Sequence, residues 1–515
     1  MTKLQRSKGI WWFFAALTVF VYLYALNVPL LGPDEPRYAQ VAREMWQAGD
    51  WVTPTLGGHN WFEKPALLYW LQITFYHVFG VTEFAARLGS ALFGLGTIFC
   101  LWLVGRYATI NDPRSTDDLA SWLALVGASS CGLLVFARGA SFDIIVTFPL
   151  AASLTGFFVY LKTQDCDSRC GTVGLAAFYF FAGLAMLAKG LIGVVFPFTI
   201  VGFYFVLSRQ FPPKRFLVSI LWGSVLMLAV AALWNVPMYL RHGWEFIDEF
   251  YIQHHFQRYT SNKYKHPQPF YFFWWVLPLM TLAWLPFFFG GSWRAVKLIF
   301  RFKKEDPLIR APKIVEPDST NMVDSPLHPN SSTPLLLFGL AWMLVPLVFF
   351  SISGSKLPGY ILPALPGALI LAAVFIYDFV QQSDARKRAV MATSLVTFLV
   401  VIGLLTFVVP KFADSDSVRR LIQTADANGY STSRIANFAT LSHNAEFYAS
   451  GRLIRNADGS QVRFNDPAKL IEEQQKAGAP LLVLVPLKQI DRLKVENKTR
   501  IADNGDLAIF VINGN

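Results

Sequence analysis

Long apolar runs separated by short charged connections set the character of this chain. They cover residues 10–31, 84–104, 119–136, 144–161, 173–188, 191–207, 216–240, 270–289, 334–350, 360–379 and 390–409. Most approach the roughly 17–25 residues that an α-helix needs to cross a bilayer. The pattern predicts a polytopic α-helical membrane protein with about 11 to 13 transmembrane helices. Met1–Lys8 carries Lys3, Arg6 and Lys8 before the first run. That apolar core is too long for a signal peptide, so it reads as an uncleaved anchor with its N-terminus inside.

Between the first two runs lies LGPDEPRYAQVAREMWQAGDWVTPTLGGHNWFEKP, residues 31–65, which the orientation puts outside. In it, residues 36–47 place Tyr38, Val41, Ala42, Met45 and Trp46 on one helical face and Arg37, Gln40, Glu44 and Gln47 on the other. A short apolar stretch follows at 65–79. Both read as helices lying in the membrane interface, within a first outer loop of 32–80. Alternation from the inside N-terminus puts Arg209/Lys214/Arg215, the loop 291–333 and Arg386/Lys387/Arg388 inside, as the positive-inside rule requires. A transmembrane unit of residues 1–409 is thus followed by 410–515. There helices at 415–429 and 466–478 alternate with strands at 434–440, 480–485 and 507–512, giving a small outer α/β domain.

Composition sharpens this picture. The 515 residues are 54% hydrophobic and only 15% charged, against roughly 25% charged in soluble domains. The net charge of +11 lies largely in inter-helix connections, which argues against a nucleic-acid binder. Of four cysteines, Cys100 and Cys131 sit in apolar runs, while Cys166 and Cys170 lack the second pair a zinc site needs. No disulfide is expected.

The same topology sorts the unusual polar residues to one face: Asp34, Glu35, Arg37, Glu63, Lys64, Arg138, Asp143, Lys189, His242, His254, His255, Arg258 and Lys356. Simpler readings stand beside the chemical one. Asp34 and Asp143 would each serve as a helix cap, Glu63–Lys64 as a weak surface ion pair, and Lys189 as a snorkelling side chain. Taken together, the cluster suits a phosphate-linked lipid substrate. Arg37, Lys64, Arg258 and Lys356 supply cations for the phosphate, and Asp34 or Asp143 a carboxylate to take a proton or face a cationic sugar. Glu63 with His254 or His255 would hold a divalent metal, although no metal-specific spacing is present. A lipid flippase or transporter is the alternative from another class. It calls for key charges near the midplane and paired broken helices, of which Lys189-Gly190 is the one candidate.

The order GPDEPRYAQVAREM, WFEKPALLYWLQ, ARGASFD, LAKG, HHFQRY and SKLPGYILP resembles the GT-C glycosyltransferases that use polyprenyl-phosphate sugars. Within them it is most similar to the ArnT-type aminoarabinose transferases of lipid A, relatives of the protein O-mannosyltransferases. The resemblance implies an inverting transfer at the periplasmic face, from a sugar on undecaprenyl phosphate to lipid A, a protein or another glycan. It implies activity roles for Asp34, Asp143 and Glu63, and lipid-phosphate or substrate contacts for Arg37, Lys64 and Arg258. Lys189, Lys356 and Tyr360 complete the candidate binding set, and Glu63 matches a position that holds a metal in some relatives. HHFQRY differs from the forms typical of the aminoarabinose enzymes.

Overall fold

The structure is a computed structural model that describes residues 3–110, 118–164, 168–257, 268–301 and 329–513. Among these, seven helices are long and apolar enough to cross a membrane, or eight if one bent pair counts as a span. Three shorter apolar helices, Lys8–Leu23, Leu119–Ala128 and Ile192–Ser208, complete the set. Together they match the expected apolar runs one for one. Phe142–Thr163 is apolar all round and 89% buried across its apolar window, so it forms the middle of the bundle. Asp384–Asp416 is 17% buried and Lys214–His254 33% buried, so both turn most of their surface to lipid.

Three expected spans differ in detail. The first helix stops at Leu23, and residues 24–31 instead form a turn whose carbonyls bond to a buried arginine described below. The run 119–136 is broken at Ser129-Ser130 into Asp118–Ala128 and Cys131–Phe136. The run 270–289 folds as Phe272–Met280 and Leu282–Phe300 with an 81° bend between them. Periodicity does not reveal such breaks, because both halves of a broken helix keep the same apolar composition. The inside loop expected at 291–333 is entered by the helix Leu285–Arg301, and its middle lies outside the described residues. Cys166 lies outside them as well.

In the first outer loop, helices Asp34–Ala48 and Leu67–Phe79 flank a hairpin of β1 (Thr55–Leu56) and β2 (His59–Asn60). The Gly57 and Gly58 amides of its turn donate to the two Glu44 carboxylate oxygens at 2.8 and 3.1 Å. The helix Asp34–Ala48 does more than lie in an interface. Gln40 of its expected polar face is buried, and so is Arg43 beside it, because the C-terminal domain covers them. Arg43 Nη1 donates to the Phe447 carbonyl at 2.6 Å and to Ser450 Oγ at 3.0 Å, over the Phe447 ring.

That domain holds one five-stranded sheet of β3 (Ile435–Phe438), β4 (Arg463–Phe464), β5 (Leu481–Pro486), β6 (Lys498–Asp503) and β7 (Leu507–Ile512), in the order β4-β3-β5-β7-β6. Strand β3 pairs parallel with β4 and β5, whereas β7 pairs antiparallel with β5 and β6. β5 is buried on both faces, with Leu481, Val483 and Val485 in one core and Leu482 and Leu484 in the other. Its unbroken apolar run follows from that position. β4 and β6 carry no such signal: one is two residues long and the other is a polar edge strand. The expected helix 466–478 appears as Pro467–Ala477, capped by Asp466 and closed by Gly478. The expected helix 415–429 is Arg419–Ala425, prolonged by one wider turn.

The sheet domain grips the membrane region through Tyr448. Its hydroxyl accepts from the Leu30 amide at 2.8 Å and donates to Glu83 Oε1 at 3.1 Å. Arg419 pairs with the same carboxylate at 3.3 Å. Tyr448→Phe leaves a buried amide and carboxylate short of a partner, at a cost of roughly 1–3 kcal/mol. A lower thermal unfolding midpoint in detergent is the expected result, and an unchanged midpoint would remove the domain's grip from this account.

Candidate active site

Six separate parts of the chain converge on one cavity of about 720 Å³. Its charged end is formed by Asp34, Glu35, Glu63, Lys64, Asp143, Lys189 and His254, with Tyr38 and Tyr360 among them. Its other walls are apolar, including Phe136, Ile192, Val195 and Phe349. Val135 and Val195 are also exposed on the helix surfaces, so the apolar side continues toward lipid. The charged residues all sit where helices begin or end, which keeps them away from the middle of the spans.

Glu35 and Arg87 hold this end together. Arg87, 4% exposed, pairs with Glu35 at 2.6 Å and also donates to the carbonyls of Leu26, Val28 and Pro29. Glu35 in turn accepts from the Leu31 amide at 2.8 Å and the Ala140 amide at 2.7 Å. One ion pair thereby joins the Asp34 loop, the helix Glu83–Ala108 and the turn before Asp143. Sequence reasoning passed over Arg87. The available signal was an arginine inside an apolar span, where a charge needs a partner.

Asp34 is the first residue of its helix, and no side chain caps that helix, so the cap reading fails. Unpaired amides at a helix start favour the negative charge there. Its side chain is 54% exposed and lies 3.6 Å from Arg37, whose guanidinium stands over the Trp61 ring. Arg37 thus occupies the rim beside Asp34, outside the cavity lining. Asp143 is likewise no cap, because Ser141 fills that role. It pairs instead with Lys189, which is therefore not a snorkelling lysine and lies 4.9 Å from the centre of the Tyr360 ring. Gly359 permits this arrangement: a Cβ there would stand 1.8 Å from Asp143 Oδ2. Glu63 Oε1 accepts from Lys64 Nζ at 2.8 Å, with both side chains largely enclosed, so the pair is not an exposed surface one.

Several expected members lie elsewhere. Lys356 is buried outside the cavity lining, with Nζ donating to the Ser353 and Gln268 carbonyls at 2.6 and 3.1 Å; burial lowers its pKa. It is better placed to shape the Ser353–Tyr360 wall than to meet a phosphate. Arg138 turns away and donates to the Val21 and Tyr24 carbonyls at the end of the first helix. His242 hydrogen-bonds Thr53 Oγ1 at 2.9 Å and packs on Phe62. Next to it, Arg241 clasps Asp50 at 2.7 and 2.8 Å. Burial would raise the Asp50 pKa, but the Val52 and Thr53 amides and Arg241 outweigh it and hold the carboxyl below its usual range. The helix then kinks at Gly243, with φ 55° and ψ −132°, and turns His254 into the cavity. Arg258 and the His255 side chain lie outside the described residues.

The expected metal ligands Glu63, His254 and His255 are described only in part, because the His255 side chain lies outside the described residues. Glu63 is engaged with Lys64, His254 lies 3.9 Å from Glu249, and no three His, Cys, Asp or Glu groups converge among the described residues. The transporter alternative gains the second break at 280–282, but the charges still gather at one end of the helices rather than at mid-span.

Known proteins give this geometry its context. Residues 9–260 match the family described as dolichyl-phosphate-mannose-protein mannosyltransferase. The undecaprenyl phosphate-alpha-4-amino-4-deoxy-L-arabinose arabinosyl transferase of Shewanella sediminis is 32% identical over 72% of this chain. Over the aligned part the chain is similar to the ArnT-type glycosyltransferases. The aligned part spans 60% of the length of the Shewanella relative. The Yersinia enterocolitica transferase of the same name is 28% identical over 87% of this chain and 74% of its own. The ArnT fold extends through the whole molecule. The crystal structure of ArnT from Cupriavidus metallidurans bound to undecaprenyl phosphate superimposes with a TM-score of 0.76 at 21% identity, covering 97% of each chain. The Archaeoglobus fulgidus oligosaccharyltransferase AglB matches more loosely, with a TM-score of 0.51 at 12% identity over 95% of this chain and 70% of its own.

Glu35→Gln would leave Arg87 buried without its counter-charge, at a cost of roughly 3–5 kcal/mol. The expected outcome is a large loss of thermal stability in detergent, partly recovered by adding Arg87→Met. A small loss in Glu35→Gln, or none recovered in the double variant, would show that the pair does not organise this end of the fold.

Proposed function

We propose that this multi-span protein is an inner-membrane glycosyltransferase. It moves a sugar from undecaprenyl phosphate to lipid A at the periplasmic face. The relatives' names supply the sugar, 4-amino-4-deoxy-L-arabinose. The observation that carries the reading is the cavity itself. Its apolar walls run toward lipid, while its far end sets Lys64 and Lys189 beside Asp34, Glu63 and Asp143. A polyprenyl tail fits the first environment and a sugar phosphate the second.

In this reading Lys64 binds the lipid phosphate; Arg258, for which the resemblance implies the same role, lies outside the described residues. Lys189, over the Tyr360 ring, steers the sugar end while holding Asp143 in place. The sugar C1–O bond to the phosphate breaks with its electron pair staying on undecaprenyl phosphate. The lysine charges stabilise that leaving group. The acceptor oxygen bonds C1 from the opposite side, which inverts the anomeric centre. Asp34 and Asp143 face the positive charge that builds on the ring. A phosphate oxygen of lipid A is already ionised at neutral pH and needs no general base. The carboxylate end and the sheet domain lie on the periplasmic side, opposite the basic connections.

Asp34→Asn should abolish transfer by the purified enzyme while the protein stays folded and membrane-embedded; full activity would refute the assignment. Lys64→Ala should raise the donor KM about tenfold or more, as loss of a charge-assisted phosphate contact predicts. An unchanged donor KM would place the phosphate elsewhere. Mass spectrometry of lipid A, surface glycans and envelope proteins, with and without the gene, identifies the acceptor. Unaltered lipid A beside a sugar missing from a protein or glycan would replace lipid A in this proposal.

A further inference from the structure

Lys356 poses a physical problem that the proposed chemistry leaves open. Its side chain is 6% exposed, and its ammonium meets no carboxylate among the described residues. Lysines are almost never buried this deeply without a counter-ion, because an unpaired charge in apolar surroundings is costly. What the ammonium has instead are two backbone carbonyls, Ser353 at 2.6 Å and Gln268 at 3.1 Å.

The fold supplies the missing negative charge. The helix Pro329–Ile352 ends at the residue before Ser353, and carbonyls at a helix C-terminus carry partial negative charge that a cation offsets. Lys356 reaches back to that end from the turn 353–357, which has little else to hold it. Ser353 Oγ donates to the Ser355 carbonyl at 3.1 Å, while the buried Ser351 and Ser355 hydroxyls find no partner among the described residues. Among those residues, the Lys356 ammonium is the side chain that hydrogen-bonds the turn to a distant segment, at Gln268, just ahead of the helix Phe272–Met280. Aromatic rings follow the same route: Phe273 lies 6.1 Å from Phe350, and Phe350 lies 5.8 Å from Tyr360.

The turn leads directly into the cavity wall. Leu357, Pro358, Gly359 and Tyr360 line the cavity, as does Ser353. Gly359 lies against Asp143, and the Tyr360 ring centre lies 4.9 Å from Lys189 Nζ. We infer that Lys356 is a positioning residue whose ammonium locks the turn 353–357 between the end of one span and Gln268, and so holds Tyr360 beside Lys189 and Gly359 against Asp143. It acts through hydrogen bonds to backbone rather than as a contact to the phosphate. A turn loosened by its loss would let the ring and the ion pair drift, and a misplacement of about 1 Å costs a reaction up to about a hundredfold. This inference rests on the reading that sugar transfer takes place in this cavity.

The test uses the purified full-length protein with undecaprenyl phosphate-linked 4-amino-4-deoxy-L-arabinose as donor. Lys356→Met keeps the apolar stem and removes the ammonium; it should lower kcat about tenfold or more and change the donor KM by less than about twofold. Lys356→Gln carries the same expectation should Lys356→Met fail to fold. A direct phosphate contact predicts the opposite split, a donor KM raised about tenfold with kcat kept. A merely structural role predicts a lower thermal midpoint with kcat per folded molecule unchanged. Either result overturns the inference. 3-Fluorotyrosine at position 360 gives a readout without turnover. Its fluorine resonance should shift in Lys356→Met and return in Lys356→Arg, which still donates to both carbonyls; a resonance that fails to move in the first or to return in the second overturns the inference too. A wild-type protein that transfers no sugar from this donor refutes the underlying reading, and the inference falls with it. Wild-type transfer with unchanged kinetics in Lys356→Met refutes the Lys356 role alone.

Discussion

A buried ion pair carries the architecture of this site. Arg87 enters an apolar helix at a position where a guanidinium is tolerable only if nearly all its donors are used. Three turn carbonyls and Glu35 use them. Because Glu35 also accepts two amides, one from the Asp34 loop and one from the turn before Asp143, those segments cannot move independently. The carboxylates proposed to face the sugar therefore have a set separation. They inherit it from a pair of residues that need not touch substrate.

The C-terminal domain extends the same constraint from above. Tyr448 bonds the Leu30 amide, Arg43 crosses from the loop helix into the domain, and Asp416 accepts weakly from the Gly32 amide at 3.4 Å. The loop of residues 24–35 is thus gripped on two sides, by the bundle through Arg87 and by the sheet domain through Tyr448. A loop held this way loses little further conformational freedom when a ligand arrives. The domain's proximity to the site reaches His443, whose pKa is lowered by burial and then by Arg37.

Within the cavity, charges are arranged in pairs that neutralise one another without closing the space between them. Glu63 with Lys64 and Asp143 with Lys189 keep the ligand-free site stable in apolar surroundings.

Much of this was legible in the chain itself. Apolar run length determined the number and order of spans, because the bilayer dictates helix length directly. The motifs GPDEPRY, FEKP, SFD and LAKG pointed to Asp34, Lys64, Asp143 and Lys189 as neighbours, and all four line or enter one cavity. Strand β5 announced itself through an unbroken apolar run, whereas polar β6 did not. Partner choice was not legible. Which carboxylate Lys189 would meet, why Lys356 and Arg138 turn to backbone carbonyls, and what Arg87 does inside a span all depend on contacts between distant segments. Hydrophobic pattern is a local property, written residue by residue. The pairing of buried charges is decided by where the folded helices end, and only the tertiary structure shows that.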